Sequence, residues 1–145
     1  MPPRSRRQPK DFFVRWPGSR TLVTLLADKW TIPIVHLLAR GGRRPGEMRR
    51  EVKGISQKML TQTLRSLERY GIVERKVHPT VPPRVDYSLT ALGRTLNTPL
   101  GALCRWAERH AGELDRLAGR GTAVRPPGPS VGGLTGDQWV GNFEK

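Results

Sequence analysis

Five side chains between Ser56 and Tyr70 have the types and the spacing that recognition of nucleic acid requires. They are Lys58, Thr61, Gln62, Arg65 and Arg69. Basic side chains reach phosphates, and the Gln amide and the Arg guanidinium form paired hydrogen bonds with base edges. The first acid of this segment, Glu68, comes only near its end. The chemistry favours a surface that binds a polyanion, and the alternative is an ordinary helix with a solvated basic face.

The same segment has the periodicity of an amphipathic helix. Leu60, Leu64 and Leu67 follow the i, i+4, i+7 spacing of a buried stripe. Ser56 stands where an N-cap is needed, and Gly71 stands where a left-handed residue would end the helix. We therefore expect a helix over residues 56–70 that packs on its leucines and presents its polar face to solvent.

Three shorter helices are predicted before this one. The first covers residues 19–27, the second follows Asp28 as its cap and ends at Gly41, and the third covers residues 45–53. The apolar positions that predict them are Leu22, Leu25 and Leu26, then Trp30, Ile34, Leu37 and Leu38, then Met48 and Val52. On the third helix Arg49 and Arg50 point outward. His36 lies among apolar neighbours and is predicted to be a core histidine rather than a ligand or a base.

Beyond Gly71 the periodicity changes to that of strands. Strands are predicted over residues 72–77 and 84–89, joined by a proline-containing loop over residues 78–83. In the second strand Val85, Tyr87 and Leu89 should be buried, and the polar residues between them should be exposed. The two strands therefore form a hairpin with a stiff tip, in which His78 is either a plain turn residue or a partner for phosphate.

A last helix and two flanking segments complete the chain. Thr90 is placed to cap the helix, which runs to about residue 118 and which Pro99 should divide or kink. Residues 1–18 are predicted to be a basic flexible arm and residues 119–145 a disordered tail rich in Gly and Pro. Residues 19–118 are predicted to be the folded domain.

The order of these elements is typical of a winged helix-turn-helix. A helix, a short helix, a turn, a longer helix and a hairpin follow one another, which predicts an α+β fold that is mainly α. In such a fold the longer helix enters the major groove of DNA, and the hairpin, or wing, contacts the neighbouring backbone or the minor groove.

The charge distribution supports a polyanionic partner. The formal net charge is +14, and residues 40–84 carry a net +8 while residues 1–20 carry +5. Double-stranded DNA is the simplest such partner, and an anionic membrane surface is the other. The chain has neither the ~20 consecutive apolar residues of a membrane span nor the apolar core of a signal peptide. We expect a cytoplasmic protein that acts at the nucleoid.

Few residues suggest other chemistry. Three scattered histidines and the single Cys104 form no metal-ligand spacing, so no metal or cofactor is predicted. A nucleophile with a base and an orienting partner is likewise missing from the sequence pattern, which predicts that the protein is not an enzyme. Cys104 has two interpretations, a redox switch and a small buried hydrophobe.

Three motifs resemble one family of regulators. They are KW at residues 29–30, GISQKMLTQTLRSLERYGIVER at residues 54–75 and PPRVDYSLTALG at residues 82–93. The chain resembles the HxlR-type winged helix-turn-helix regulators, which stand near the MarR group. The resemblance implies a bacterial-type transcription regulator, usually a homodimer, whose first and last helices form the dimer interface and whose helix 56–70 reads DNA.

Two positions depart from the family pattern. Pro45 follows Arg44, where members often have Phe, which alters how the short helix begins. Redox- or aldehyde-sensing members carry a cysteine just before the first helix, whereas this chain reads WPGS at residues 16–19. Thiol sensing at that place is therefore excluded.

These observations predict a dimeric, sequence-specific DNA-binding regulator with three groups of contacts. Lys58, Thr61, Gln62 and Arg65 would contact base edges and adjacent phosphates. The DNA backbone would be held by Arg49, Arg50, Ser56 and Gln57. The contacts of the wing would come from His78, Thr80 and Arg84. The alternatives are a nucleoid or RNA-binding protein without sequence preference, a regulator with a small-molecule effector between the first and last helices, and a protein-interaction adaptor working through residues 139–143.

Overall fold

The computed structural model describes residues 16–118. The elements are α1 Pro17–Leu26, α2 Thr31–Ala39, α3 Pro45–Glu51, α4 Gln57–Arg69, β1 Val73–His78, β2 Arg84–Leu89, α5 Ala91–Arg109 and α6 Ala111–Leu117. The two strands form an antiparallel sheet. The predicted mainly helical winged helix-turn-helix is confirmed. The tail of residues 119–145 and most of the predicted arm lie outside the described residues.

Helix α2 occupies the centre of the core and packs against α5 and β2. Its residues from Pro33 to Leu38 are all buried, which explains why this helix shows no polar face. The predicted stripe of α4 is buried against this core, with Leu60 and Leu67 wholly inaccessible. Full burial of each such side chain contributes about 1.5–3 kcal/mol. The polar face of α4 is therefore held outward by its leucines.

Both predicted ends of α4 are confirmed. The Ser56 hydroxyl accepts a hydrogen bond from the Met59 backbone N–H at 3.1 Å. At the other end Gly71 has φ +71, the left-handed conformation that glycine adopts at low cost. The Ile72 N–H donates to the Leu67 carbonyl at 2.9 Å, which closes the helix and turns the chain directly into β1.

The hairpin is fastened to the segment that precedes α3. Strands β1 and β2 pair in register from Val73 opposite Leu89 to His78 opposite Arg84. Arg43 and Tyr87 exchange two backbone hydrogen bonds, each of 2.9 Å, as an isolated bridge on the outer side of β2. The wing and the helix-turn-helix are therefore joined by backbone contacts.

Several predicted boundaries need correction. Trp30, not Asp28, is the N-cap of α2, and the Asp28 carboxylate instead accepts hydrogen bonds from the Trp30 N–H and the Thr63 hydroxyl. Helix α3 ends before Val52, because that residue is extended as it turns its side chain into the core. His78 belongs to β1 and not to the loop.

The predictions for β2 and for the last helix were partly wrong. In β2 only Leu89 is buried, while Asp86 and Ser88 are half-covered because their side chains pair with neighbouring groups. The last helix continues through Pro99 and divides at residue 110 instead. Proline removes one helical hydrogen bond, and the buried Leu100 directly after it anchors the helix to the core there.

Candidate nucleic-acid interface

The outward face of α4 consists of two adjacent rows of polar side chains. The first row contains Lys58, Gln62, Arg65 and Arg69, all exposed and spaced by four, three and four residues. The row beside it contains Gln57, Thr61 and Glu68 and faces the wing. The structure thus brings together the four residues predicted to meet base edges.

A cleft of about 490 Å³ separates the second row from the wing. Arg65 and Glu68 line it from α4, while Arg75 and Tyr87 line it from the hairpin. A shallower depression of about 310 Å³ lies on the other side of Arg65, next to Arg69. Arg65 therefore borders both hollows and is the most central cation of this face.

The residues predicted to hold the backbone lie at the junction of α3 and α4. Arg49 and Arg50 are exposed in the last turn of α3, and Arg49 Nη1 lies 3.4 Å from Gln57 Oε1. Ser56 uses its hydroxyl oxygen as the helix cap. The Thr61 hydroxyl donates to the Gln57 carbonyl at 2.9 Å, so its methyl group and its oxygen lone pairs are what it can offer a partner.

On the wing, Asp86 holds two of the three predicted contact residues, His78 and Arg84. The His78 Nε2 lies 2.7 Å and an Arg84 nitrogen 3.2 Å from the same Asp86 oxygen, Oδ2. His78 is therefore not a plain turn residue. At the tip, the Thr80 hydroxyl donates to the Pro82 carbonyl at 2.9 Å, which ties down the loop. Desolvation acts to raise the pKa of the Asp86 carboxyl, but hydrogen bonds and charge from His78 and Arg84 lower it below its ordinary value.

Sequence reasoning missed two cations of this surface, Arg75 and Arg44. Arg75 lies opposite Tyr87 in the sheet, on the side that faces α4. The alternation in β1 could have indicated this placement, because Val73 and Val77 share that side. Arg44 Nε lies 3.7 Å from Asp86 Oδ1, a contact between residues 42 positions apart that no local pattern reveals.

The other titratable groups do not form a reactive site. Burial raises the pKa of the Cys104 thiol to about 11, with Glu108 adding to the rise, so the thiolate is scarce at neutral pH. Burial also lowers the pKa of His36 to about 4, aided by Arg40, so this core histidine is neutral. Within residues 16–118 no three His, Cys, Asp or Glu side chains cluster as a metal site.

Large apolar side chains are exposed on the helices at the two ends of the described chain. On α1 these are Leu22 and Val23; on α5 and α6 they are Leu92, Leu103, Trp106, Leu114 and Leu117. The Trp106 ring stacks on the His110 imidazole with centroids 4.9 Å apart. Among the described residues no single helix is long and apolar enough to cross a membrane, and α1 with α2 pass that test only as a pair bent by 92°.

Fold and site together define a winged helix-turn-helix protein whose helix α4 presents an exposed row of basic and polar side chains. Residues 25–115 match the model of the HxlR-like helix-turn-helix family. The chain belongs to this family, which confirms the resemblance drawn from residues 54–75 and 82–93. It is a transcriptional regulator of the HxlR and MarR type, and not an enzyme.

Individual relatives agree with this assignment. The chain is 40% identical over 109 residues to YkvN of Bacillus subtilis (strain 168), an uncharacterised HTH-type transcriptional regulator, and the match covers 75% of this chain and 92% of YkvN. The reduced form of the redox regulator HypR is 39% identical with a TM-score of 0.62, covering 69% of this chain and 98% of HypR. A crystal structure assigned to the MarR family, from Enterococcus faecalis V583, is 36% identical with a TM-score of 0.59. The match covers 70% of this chain and 93% of that one.

Proposed function

We propose that the protein is a homodimeric regulator that recognises a specific double-stranded DNA sequence at the nucleoid, in the cytoplasm. The observation that carries the proposal is the exposed row of α4, with Arg65 between the two hollows of the surface. A helix about 10–12 Å across fits the major groove, which is about 12 Å wide. With α4 in that groove, the wing approaches the backbone beside it.

Base recognition is assigned to Lys58, Thr61, Gln62 and Arg65. Arg65 can pair with the two acceptors of guanine and Gln62 with the donor and acceptor of adenine, whereas the Thr61 methyl suits the methyl of thymine. Lys58, next to the start of α4, can reach either a guanine or a phosphate. Each good bidentate pair contributes about 1–3 kcal/mol of discrimination against a wrong base.

Backbone contacts are assigned to the ends of the surface. Arg49, Arg50, Ser56 and Gln57 lie together at the α3–α4 junction, next to the N-terminus of α4, and a helix N-terminus is a favourable place for a phosphate. The wing residues His78, Thr80 and Arg84 form a second group. These two groups lie on either side of the exposed row of α4. Their contacts would fix the register of α4 on the DNA without reading its sequence.

The dimer is proposed from the apolar residues exposed on α1, α5 and α6. Leu103 and Trp106 lie three residues apart on α5 and are about half exposed, at 50% and 49%. Pairing two copies through such faces would remove this apolar area from water. A two-fold dimer predicts a pseudo-palindromic operator with half-sites about 34–36 Å apart, or a multiple of that spacing.

The signal to which the regulator responds does not follow from this arrangement. One relative, HypR, is a redox regulator. A thiol switch at Cys104 is disfavoured, because the raised pKa of Cys104 leaves little thiolate to oxidise. A small-molecule effector between α1 and α5 remains the other prediction. A compound that binds the folded dimer must raise its melting midpoint, which a thermal screen with candidate metabolites measures.

Selection of bound fragments from a genomic DNA pool at physiological salt tests the proposal. We expect a recurrent pseudo-palindrome, bound at least ~10³-fold more tightly than random duplex. A steep salt dependence with no preferred sequence would instead indicate a nucleoid or RNA-binding protein. Deleting residues 119–145 should leave DNA binding unchanged and would expose any adaptor role of the tail through a lost partner.

The variant Arg65→Ala tests the recognition helix itself. It should weaken binding to the selected site by about 5- to 150-fold, the equivalent of 1–3 kcal/mol, while random duplex loses much less. Arg116→Ala, on exposed α6, is the charge-matched control; with size-exclusion chromatography showing an unchanged dimer, it should leave both affinities nearly unchanged. Equal losses on selected and random DNA would reduce Arg65 to a phosphate contact.

A further inference from the structure

Asp86 is an acid within a surface that we assign to DNA, and its charge opposes that assignment. It lies on β2 among the wing residues, where a carboxylate would repel phosphate. Its contacts suggest a different role. Its two oxygens face three basic side chains: Arg84 and His78 on the wing, and Arg44 just before α3.

The exposure of the four side chains shows an order of depth. Arg44 and Arg84 are 53% and 43% exposed, whereas Asp86 and His78 are 29% and 25% exposed. A phosphate that approached this cluster would meet the two guanidinium groups before the carboxylate. Asp86 therefore lies behind the cations and orients them without covering them.

A cleft of about 590 Å³ opens beside this cluster, between the wing and the start of α3. Arg44 and Pro45 line one wall, and the wing residues from Thr80 to Val85 line the other. Both arginines of the cluster border the opening, so a DNA backbone entering the cleft would pass between them. Thr80 at the tip lies on the same wall as Arg84.

The backbone around the cluster is already held in place. The Arg44 N–H donates to Glu47 Oε2 at 2.8 Å, and the neighbouring Arg43 is bridged to Tyr87. The separation of wing and helix-turn-helix is thus set by main-chain contacts, and the long arginine side chains are what remains free to move. Ordering two such side chains before binding removes part of the entropy that binding would otherwise cost.

We propose that Asp86 is a positioning residue, which holds Arg44, Arg84 and His78 as a preformed clamp for a DNA backbone phosphate between the wing and the start of α3. The clamp rests on the proposed DNA-binding function. It adds Arg44 to the contacts and gives the acid of the wing a role in binding. The bound group is the phosphodiester of duplex DNA, and sequence is read elsewhere, by α4.

The variant Asp86→Asn separates this role from simple repulsion, because the two predict opposite signs. Removing a negative charge that merely repels DNA should tighten binding. The slope of the logarithm of the binding constant against the logarithm of the salt concentration should then become steeper by roughly 0.9, the value of one phosphate contact. Removing a positioning carboxylate should weaken binding about three- to tenfold, despite the gain of positive charge. Tighter or unchanged binding would overturn the proposal.

The matched control is Glu74→Gln on β1. Glu74 lies in the same hairpin and accepts a hydrogen bond from Ser88 at 3.1 Å, away from the clamp. Its loss changes the net charge by the same amount and should change DNA affinity by less than about twofold, in the direction of tighter binding. A loss equal to that of Asp86→Asn would mean that the effect comes from the hairpin as a whole and would overturn the clamp.

Coupling to Arg44 gives a second measurement. If Asp86 acts partly through Arg44, the loss caused by Asp86→Asn should shrink in an Arg44→Gln background, and full additivity would contradict the clamp. Thermal melts confirm that each variant is folded. If Asp86→Asn does not fold, Asp86→Glu keeps the charge but displaces the carboxylate, and wild-type affinity in that variant would likewise contradict the proposal.

The two proposals fail in different ways. Phosphate contacts do not depend on sequence, so the clamp is measured on random duplex as well as on a selected site. Wild-type protein without any preferred sequence would refute the specific regulator, while weaker binding of Asp86→Asn to random duplex would still support the clamp. A preferred operator together with undiminished binding by Asp86→Asn would refute the clamp alone.

Discussion

Replacing Gly93 with Ala sets two physical effects against each other. Gly93 is the third residue of α5, and its N–H donates to the Thr90 hydroxyl at 3.0 Å. Helix propensity alone favours Ala over Gly by about 0.8–1 kcal/mol. A Cβ at Gly93, however, would lie 2.1 Å from the Ile72 carbonyl oxygen and 3.2 Å from Leu89 Cδ2. Steric contact should therefore decide the sign.

The obstructing atom is a backbone oxygen that is itself held in place. The Ile72 carbonyl accepts the Thr90 N–H at 3.0 Å, and the Ile72 N–H closes the end of α4. Overpacking of this kind typically costs 1–3 kcal/mol and sometimes more. We expect Gly93→Ala to lower the free energy of unfolding by about 2 kcal/mol, equivalent to a fall of about 10 °C in the melting midpoint.

Thermal and urea unfolding followed by circular dichroism measure this change. Gly112→Ala in α6 is the control, because a Cβ there meets nothing within 4 Å. That variant should be unchanged or more stable by up to about 1 kcal/mol. If Gly93→Ala were as stable as Gly112→Ala, the close approach of α5 to the start of the wing would be wrong.

Three further predictions concern single side chains. Thr90→Ala, which removes both the cap of α5 and a hydrogen bond to the Gly71 carbonyl, should cost about 1–2 kcal/mol in urea unfolding, whereas Thr90→Ser should retain most of the stability. Because the pKa of His36 is lowered to about 4 in the folded state, the unfolded chain binds the proton first. Stability should therefore fall by about 2.5 kcal/mol between pH 6.5 and 4, and this part of the pH dependence should vanish in His36→Gln. Cys104 should be alkylated by iodoacetamide about 100-fold more slowly at pH 7 than an ordinary thiol, with a rate that climbs toward pH 11; a fast reaction at pH 7 would contradict the raised pKa.

Local patterns were sufficient for α4 and for the bounds of β2. Leu60, Leu64 and Leu67 predicted the buried stripe of α4, and Ser56 and Gly71 predicted its ends, because capping and periodicity involve residues within a few positions of each other. The exposed row of α4 followed as the complement of that stripe. Strand β2 was placed with its observed bounds for the same reason.

Local patterns failed where a distant partner outweighed them. Asp28 looked like a helix cap, yet its carboxylate also binds the Thr63 hydroxyl, 35 residues away. Pro99 looked like a helix break, but burial of Leu100 holds α5 together through it. His78 read as part of a loop, and its pairing with Asp86 depends on a register that only the assembled hairpin defines.

By itself, the sequence determined the order of the elements, the buried stripes of α2 and α4 and the basic character of the face of α4, whereas several leucines of the first and last helices are exposed. These features arise from periodicity and side-chain type, which the chain carries locally. Only the tertiary structure decided that Arg75 faces α4 across a cleft and that Asp86 joins Arg44 to the wing. Such contacts join residues far apart in the chain, and their geometry exists only after the core has packed and brought the hairpin against α3 and α4.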